Sequence, residues 1–413
     1  MSGTTLDDYT DRYAARIHGM AQSEIRALFA VASRPEVVSL AGGNPDTSAL
    51  PMGELGDMFT RLLAERGPQS LLYCPGQGDA ALRESICEVM ACVGVDAGVG
   101  ASPDDVVVTV GAQQGLDLLA KVFCDPGDVV LAEGPTYVGA LGVFQAAEVQ
   151  VRHVPMDDDG LIPQALEEAI VASANPPKFL YTVPSYQNPT GVTLSDARRE
   201  EVLAICERHG LLVVEDDPYG MLSFDGEPPK PLRARRRDGV FYVGTFSKIF
   251  AAGLRVGWVL APPAVRDKLV MASEAQILCP SSLTQAATLR YLTTMPWQDQ
   301  VKEFSALYSG RLQTMLAALD DYMPAGMRWT RPGGGLFVWA ELPEGLNSKE
   351  MLPQALSRRV AYVPGTGFYA DGGGAGRMRL NFSFPTSDRI REGVRRLAGV
   401  VSAAGELRDT FAE

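Results

Sequence analysis

Between residues 106 and 260 the chain alternates short apolar runs with segments of helical periodicity, and this alternation narrows the possible folds more than any other feature. Val106–Val110, Val129–Ala132, Val149–His153, Phe179–Val183, Leu211–Val214, Phe241–Val243 and Val256–Leu260 read as strands. Leu116–Phe123, Val138–Ala147, Leu166–Ala172 and Asp196–His209 read as helices between them. Strands apolar at successive positions are covered on both faces, and helical crossovers join them in parallel. The expected fold class is therefore α/β, a three-layer, mostly parallel sheet.

After Pro296 the texture changes. Val301–Leu319 is a long helical pattern, a Pro-Gly-Gly-Gly turn at 332–335 precedes an apolar strand Leu336–Trp339, and Met378–Phe382 reads as another strand before a final helix Ser387–Ala404. This predicts a smaller α+β domain. Residues 11–33 alternate polar and apolar positions at helical spacing and lead through Val37–Leu40 into the turn Ala41-Gly-Gly-Asn-Pro45. The expected organisation is an N-terminal arm over 1–50 that joins the small domain, a large domain over 51–300 and a small domain over 301–413. The Gly-rich stretch Asp371–Gly376 reads as a mobile surface loop.

Composition excludes several functions. The 413 residues carry 37 basic and 50 acidic side chains, a net charge of -13, which opposes a surface built to neutralise nucleic-acid phosphates. No apolar run approaches the ~18 residues of a membrane span, and the start lacks the basic head and apolar run of a signal peptide, so the cytoplasm is the expected compartment. Six cysteines form no Cys-x-x-Cys pair and the three histidines are far apart, so no metal site is expected. There is no Gly-x-Ser-x-Gly elbow. Gly-x-Gly-x-x-Ala matches at Gly76 and Gly365 follow no strand of a βαβ unit and read as turns.

Lys248 stands apart from the other six lysines. Lys121, Lys268 and Lys302 fall on helix surfaces and Lys230 and Lys349 in polar loops, whereas Lys248 follows the apolar strand Phe241–Val243 within Gly-Thr-Phe-Ser-Lys. Desolvation there would disfavour the ammonium and free a nucleophilic amine. Other strands end in polar groups. Leu211–Val214 runs into Glu-Asp-Asp-Pro-Tyr (215–219), Phe179–Val183 into Pro-Ser-Tyr-Gln-Asn-Pro-Thr-Gly (184–191), and Val106–Val110 into Gly-Ala-Gln-Gln-Gly (111–115), which opens a helix whose N-terminus would favour a phosphate. Singly these have ordinary readings, Asp216 as a helix cap, Asn188-Pro189 as a turn and Gly111 as a strand terminator. Together they place a phosphate cradle, a carboxylate and an amine along the carboxyl edge of one sheet, where ligands of open α/β folds bind.

Gly111–Gly115, Asn188-Pro189-Thr190-Gly191, Asp216-Asp217-Pro218-Tyr219, Ser247-Lys248 and Arg255-Val256-Gly257 resemble, in this order, the motifs of class I/II aminotransferases, fold-type I enzymes that use pyridoxal 5′-phosphate. The likeness spans Gly42-Gly43 to Arg379. Twenty-eight residues separate Asn188 from Asp216 and seven separate Lys248 from Arg255, both as in that family.

The resemblance implies roles. Lys248 would hold the cofactor as a Schiff base and shuttle the proton, while Asp216 would pair with the pyridine nitrogen, a place for which Asp217 competes on spacing alone. Asn188 and Tyr219 would meet the phenolic oxygen and Tyr137 would stack on the ring. Gly111, the amides of Ala112 and Gln113, the hydroxyls of Thr245 and Ser247, and Arg255 would hold the phosphate; relatives often have serine where Ala112 stands. Arg379 would grip the substrate carboxylate, with Gly42, Gly43 and Asn188 beside it. Tyr73 would reach the cofactor phosphate of a neighbouring subunit, implying a homodimer.

The opening is most similar to the α-aminoadipate and kynurenine aminotransferase branch, in which Arg26 falls where some relatives bind a distal carboxylate. The resemblance thus implies transfer of an amino group between an α-amino acid and a 2-oxo acid by a ping-pong route. Other pyridoxal-phosphate reactions (β-lyase, racemase or oxidase) and a non-catalytic regulatory protein are the alternatives. The same branch supplies modules of transcription regulators, but here no DNA-binding segment is expected and the charge is negative.

Overall fold

The computed structural model describes residues 9, 12–18, 20 and 34–412. The helical pattern over 11–33 lies mostly outside them, as does Arg26; residues 12–18 and 20 of it are described, with a helical turn at Ala15–His18. The described strands are β1 (Val38–Ser39), β2 (Val106–Thr109), β3 (Val129–Gly134), β4 (Gln150–Asp157), β5 (Gly160–Leu161), β6 (Phe179–Thr182), β7 (Leu212–Asp216), β8 (Val240–Thr245), β9 (Gly257–Leu260), β10 (Arg328–Trp329), β11 (Phe337–Glu341), β12 (Val360–Ala361), β13 (Val363–Pro364) and β14 (Arg377–Asn381).

Eight of them form one sheet in the order β2-β9-β8-β7-β6-β3-β4-β5. Neighbours from β8 through β4 are parallel. Successive residues of its strands feed opposite cores. Val129, Leu131, Leu180, Val213 and Val240 pack with Leu166, Val202 and Leu203 of two helices on one face. Val130, Ala132, Tyr181, Val214 and Phe241 pack with Leu116, Leu119 and Phe144 of two others. This is the covered, mostly parallel sheet that the apolar runs predict.

Two strands depart from the parallel order: β5 turns back antiparallel on β4 at one edge, and β9 is reversed inside the sheet. β9 runs antiparallel to both β8 and β2. Only residues 246–256 separate it from β8, fewer than the dozen or more that a parallel crossover needs. The reversal matters for the site, because β9 begins, rather than ends, at the edge where its neighbours finish.

A second, antiparallel sheet, β10-β11-β14-β13, carries Arg379 opposite Trp339 and Val363. Behind it the helices Trp297–Tyr322 and Ser387–Ala412 pack along one another. β1 joins this part of the molecule by parallel pairing with β12. The next segment is pinned too: Asn381 donates its amide to Leu40, and buried Asp46 pairs with Arg311 at 2.6 Å. Gly42 and Gly43 are thereby stretched over the carboxyl edge of the large sheet.

The 371–376 stretch lies at the surface, anchored at its end where Ser348 and Leu342 donate their amides to the carbonyls of Ala375 and Gly376. One expectation needs correction. Lys349 lies in the first turn of the helix Ser348–Ser357 instead of in a loop. Gly365 opens a 3-10 turn, consistent with its reading as a turn.

Candidate active site

The phosphate-type cradle is made where β2 ends and β9 begins. Gly111 opens the helix Gly111–Phe123 at φ +72°, and a Cβ there would collide with the Arg255 guanidinium. Gly257 lies against the backbone of Gly111 and Ala112, where a Cβ would come within 2.6 Å. Glycine is required at both because helix, strand and arginine converge. Arg255, itself left-handed at φ 54°, donates to Ser247 Oγ at 3.3 Å, and Thr245 Oγ1 donates to the same oxygen at 2.9 Å. An uncapped helix N-terminus, a guanidinium and two hydroxyls thus meet at one point, an arrangement that favours a multiply charged anion.

Three carboxylates follow one another at the end of β7, and their partners tell them apart. Glu215 accepts the amides of Leu232 and Arg233, both at 2.7 Å. Asp217 accepts Tyr242 Oη at 3.0 Å and the Gly220 amide at 2.9 Å. Asp216 accepts Tyr181 Oη at Oδ2, 2.8 Å, whereas its buried Oδ1 has no partner. Asp217 is occupied structurally, and Asp216 alone offers a free oxygen to the cavity. Burial raises the Asp216 carboxyl to about 7; the Tyr181 bond opposes this, Asp217 and Glu133 add to it, and Lys248 pulls it down.

Lys248 sits just beyond β8. Its Nζ donates to the Gly43 carbonyl at 2.7 Å. Burial lowers its ammonium to about 8, with Arg379 and Arg255 pushing the same way and Asp216 opposing. Arg379, on β14, reaches across from the second sheet. It donates to Asn188 Oδ1 at 2.8 Å and to the carbonyls of Ala41 and Gly42 at 3.0 and 3.2 Å, and its guanidinium lies 4.1 Å from the Phe337 ring centre. Asn188 in turn donates toward Tyr219 Oη at 3.4 Å. Tyr137 contributes its ring from the start of the helix Val138–Ala146, with its hydroxyl 3.3 Å from Gln113 Oε1.

These groups surround one cavity of about 320 Å³. Gly43, Ala112, Gln113, Tyr137, Asn188, Asp216, Tyr219, Thr245, Ser247, Lys248, Arg255 and Arg379 all line it. Gly42 and Gly111 stand directly behind that wall, through Arg379 and Arg255 respectively. Tyr73 does not line it; the side chain is 84% exposed on the surface of the chain. Phe337, Val138 and Pro218 line it without having been anticipated. Phe337 was signalled only by its place after Gly333–Gly335, and nothing in the sequence pointed to Val138.

The family model for aminotransferase class I and II matches residues 35–397. The chain belongs to the class I and II aminotransferases. It is 38% identical to aromatic-amino-acid aminotransferase 1 of Thermococcus litoralis over 95% of each chain, and 39% identical to 2-aminoadipate transaminase of Thermus thermophilus over 91% of this chain and 92% of that one. Among solved structures, the kynurenine aminotransferase of Pyrococcus horikoshii, in complex with PMP, superposes with a TM-score of 0.90 at 37% identity, covering 96% of this chain and 98% of that one. The chain is accordingly a fold-type I enzyme that transaminates with pyridoxal phosphate as cofactor. This aminotransferase cavity suits that cofactor. The cradle would suit a phosphate, and the unpartnered Asp216 Oδ1 would suit a protonated ring nitrogen.

Proposed function

We propose that this aminotransferase moves the amino group of an α-amino acid to a 2-oxo acid by a ping-pong route centred on Lys248. The observation that carries the substrate assignment is the state of Arg379. Buried, with burial lowering it to about 10, it spends its hydrogen bonds on neutral oxygens of Asn188, Ala41 and Gly42 and leaves Nε unpartnered. A buried guanidinium without a carboxylate is costly in isolation and invites an anionic ligand. The α-carboxylate of an amino acid meets that need bidentately, a geometry lysine cannot supply.

When bound, pyridoxal phosphate supplies the carbonyl that takes the amino group and a ring that draws electrons from the α-carbon. Lys248 would be its covalent anchor. Burial lowers the lysine ammonium to about 8, which favours the neutral amine that would accept the α-proton of the substrate. Asp216 would hold a proton on the ring nitrogen, and Asn188 and Tyr219 the phenolic oxygen. Tyr137 would cover one ring face. The amides of Ala112 and Gln113 with Thr245, Ser247 and Arg255 would bind the phosphate, Gly111 giving Arg255 room. Gly42 and Gly43 would admit the substrate, and Arg26 would serve a distal carboxylate.

The reading extends to a cytoplasmic, biosynthetic homodimer in which the partner subunit's Tyr73 completes each phosphate site. Exposure of Leu71, Leu72 and Tyr73 in one stretch supports it. The division into 1–50, 51–300 and 301–413 belongs to the same reading, supported by the pairing of β1 with β12. The test is a half-reaction in which the holoenzyme is mixed with single amino acids and no acceptor. Stoichiometric 2-oxo acid, with lasting conversion of the cofactor's absorbance, is expected. Ammonia release or oxygen consumption with the spectrum restored each cycle would overturn it.

A further inference from the structure

The face of the sheet that carries Asp216 carries a residue outside every motif. Tyr181 of β6 lies opposite Val214 of β7 and Ala132 of β3, so it shares a face with Val214 and, two residues on, with Asp216. It is fully buried, with its ring edge-on to Phe144 at 5.7 Å. Thr182 and Glu133 point to the opposite face and bond each other there, Oγ1 to Oε1 at 2.5 Å, while the Gln187 amide and the Val183 N–H satisfy Oε2. Every buried carboxylate around Tyr181 is therefore closed by its own donors, except at Asp216 Oδ1.

We infer that Tyr181 is a positioning residue for transamination: its hydroxyl holds Asp216 Oδ2 within the sheet, so that Oδ1 alone is presented to the cofactor's ring nitrogen. The inference rests on the reading that Asp216 meets that nitrogen. A carboxylate with two equivalent oxygens turns readily about its last torsion. The hydroxyl removes that freedom and stabilises the ionised form. Burial, Asp217 and Glu133 all disfavour that form, and besides Tyr181 only Lys248 supports it. Such a bond to a charged group is worth about one to two decades in an equilibrium constant.

The test is titration of the apoprotein with pyridoxal phosphate across pH, followed by fluorescence quenching, for wild type, Tyr181→Phe, Asp216→Asn and the double variant. Tyr181→Phe is expected to weaken cofactor binding about tenfold or more and to move the acid limb of the binding curve to higher pH. In the Asp216→Asn background the same change is expected to cost less than about twofold. Equal losses in both backgrounds with an unmoved acid limb are the signature of a tyrosine that only fills space, and would overturn the inference. Undiminished binding by Asp216→Asn alone would instead overturn the reading beneath it. Should Tyr181→Phe not fold, 3-fluorotyrosine at position 181 keeps shape and sharpens the donor. The acid limb is then expected at lower pH, and an unmoved limb would overturn the inference.

Discussion

The Nζ of Lys248 lies 2.7 Å from the carbonyl oxygen of Gly43, 205 residues earlier in the chain. The bond spans from the carboxyl edge of the large sheet to the segment pinned by the small one, so the amine is held by both parts of the site. Its cost is electrostatic. The folded ammonium titrates near 8, below its ordinary value of 10.5, so the penalty is fully present below about pH 8 and is relieved as pH rises toward 10.5. Apoprotein carrying Lys248→Met should therefore melt higher than wild type at pH 7, by on the order of a few degrees, with the gap closing by pH 10. Differential scanning calorimetry at both pH values checks this. The same variant should lose roughly a thousandfold or more in turnover.

Asp216 and Asp217 are neighbours in sequence with opposite expected phenotypes. Asp217→Asn leaves Tyr242 Oη and the Gly220 amide with a poorer acceptor in the core and should cost about 1–3 kcal/mol of stability, with the spectrum of the bound cofactor unchanged. Asp216→Asn would remove the acceptor proposed for the ring nitrogen and should lower turnover about a hundredfold or more. Burial raises both carboxyls, so the pH dependence of stability has the same sign at each. Asp216 is raised from 3.8 to about 7, so ionising it destabilises the fold progressively between those values, and the cost is complete above 7. Asp216→Asn apoprotein should gain stability over wild type at pH 8 and lose that gain by pH 4, as denaturant melts at the two pH values would show.

The motifs were legible because each follows the end of a strand or, for Arg255-Val256-Gly257, opens one, and the strands were legible because runs such as Val106–Val108 are buried on both faces. What the sequence hides is direction and distance. The apolar pattern of β9 is the same for either direction, and only the shortness of the link from β8 decides it. β1 and β12 are two residues each and pair across the whole chain. The helix Met52–Ser70 is masked in sequence by Gly53, Gly56, Gly67 and Pro68, and the helix Pro263–Ile277 buries few of its residues, so neither shows a clean apolar stripe. Tyr181 reads as one more apolar position in β6, since its role depends on a register with β7 that only folding reveals.

Arg379→Lys isolates the substrate clamp proposed for this residue. Lysine keeps a charge but loses the two-pronged geometry, the stacking on Phe337 and the bond to Asn188. The amino-acid KM should rise about 10- to 100-fold, the equivalent of ~1.5–3 kcal/mol for charge-assisted hydrogen bonds. Cofactor affinity should fall less than substrate affinity, because Arg379 reaches the proposed cofactor contacts through Asn188 and bonds none of the phosphate-cradle residues. Steady-state kinetics alongside a cofactor titration separate the two effects.

Arg26→Ala asks whether a distal carboxylate is recognised. Loss of a cation from a substrate pocket should reduce the preference for glutamate or 2-aminoadipate over leucine about tenfold or more in kcat/KM. An unchanged preference in a donor panel would remove Arg26 from the site.

Tyr73 tests the shared site directly. The side chain is 84% exposed beside Leu71 and Leu72 and does not line the cavity of its own chain. In a homodimer with crossed tyrosines, Tyr73→Ala should weaken cofactor retention, and Lys248→Ala should abolish turnover. A heterodimer of the two contains one site with both defects and one with neither. Co-refolding the two variants in equal amounts, at a cofactor level where Tyr73→Ala alone is inactive, should therefore restore about a quarter of wild-type activity, because half of the dimers are mixed and each has one intact site of two. If Tyr73 served only its own chain, every site in the mixture would carry one defect, and activity would stay at the average of the two variants measured alone.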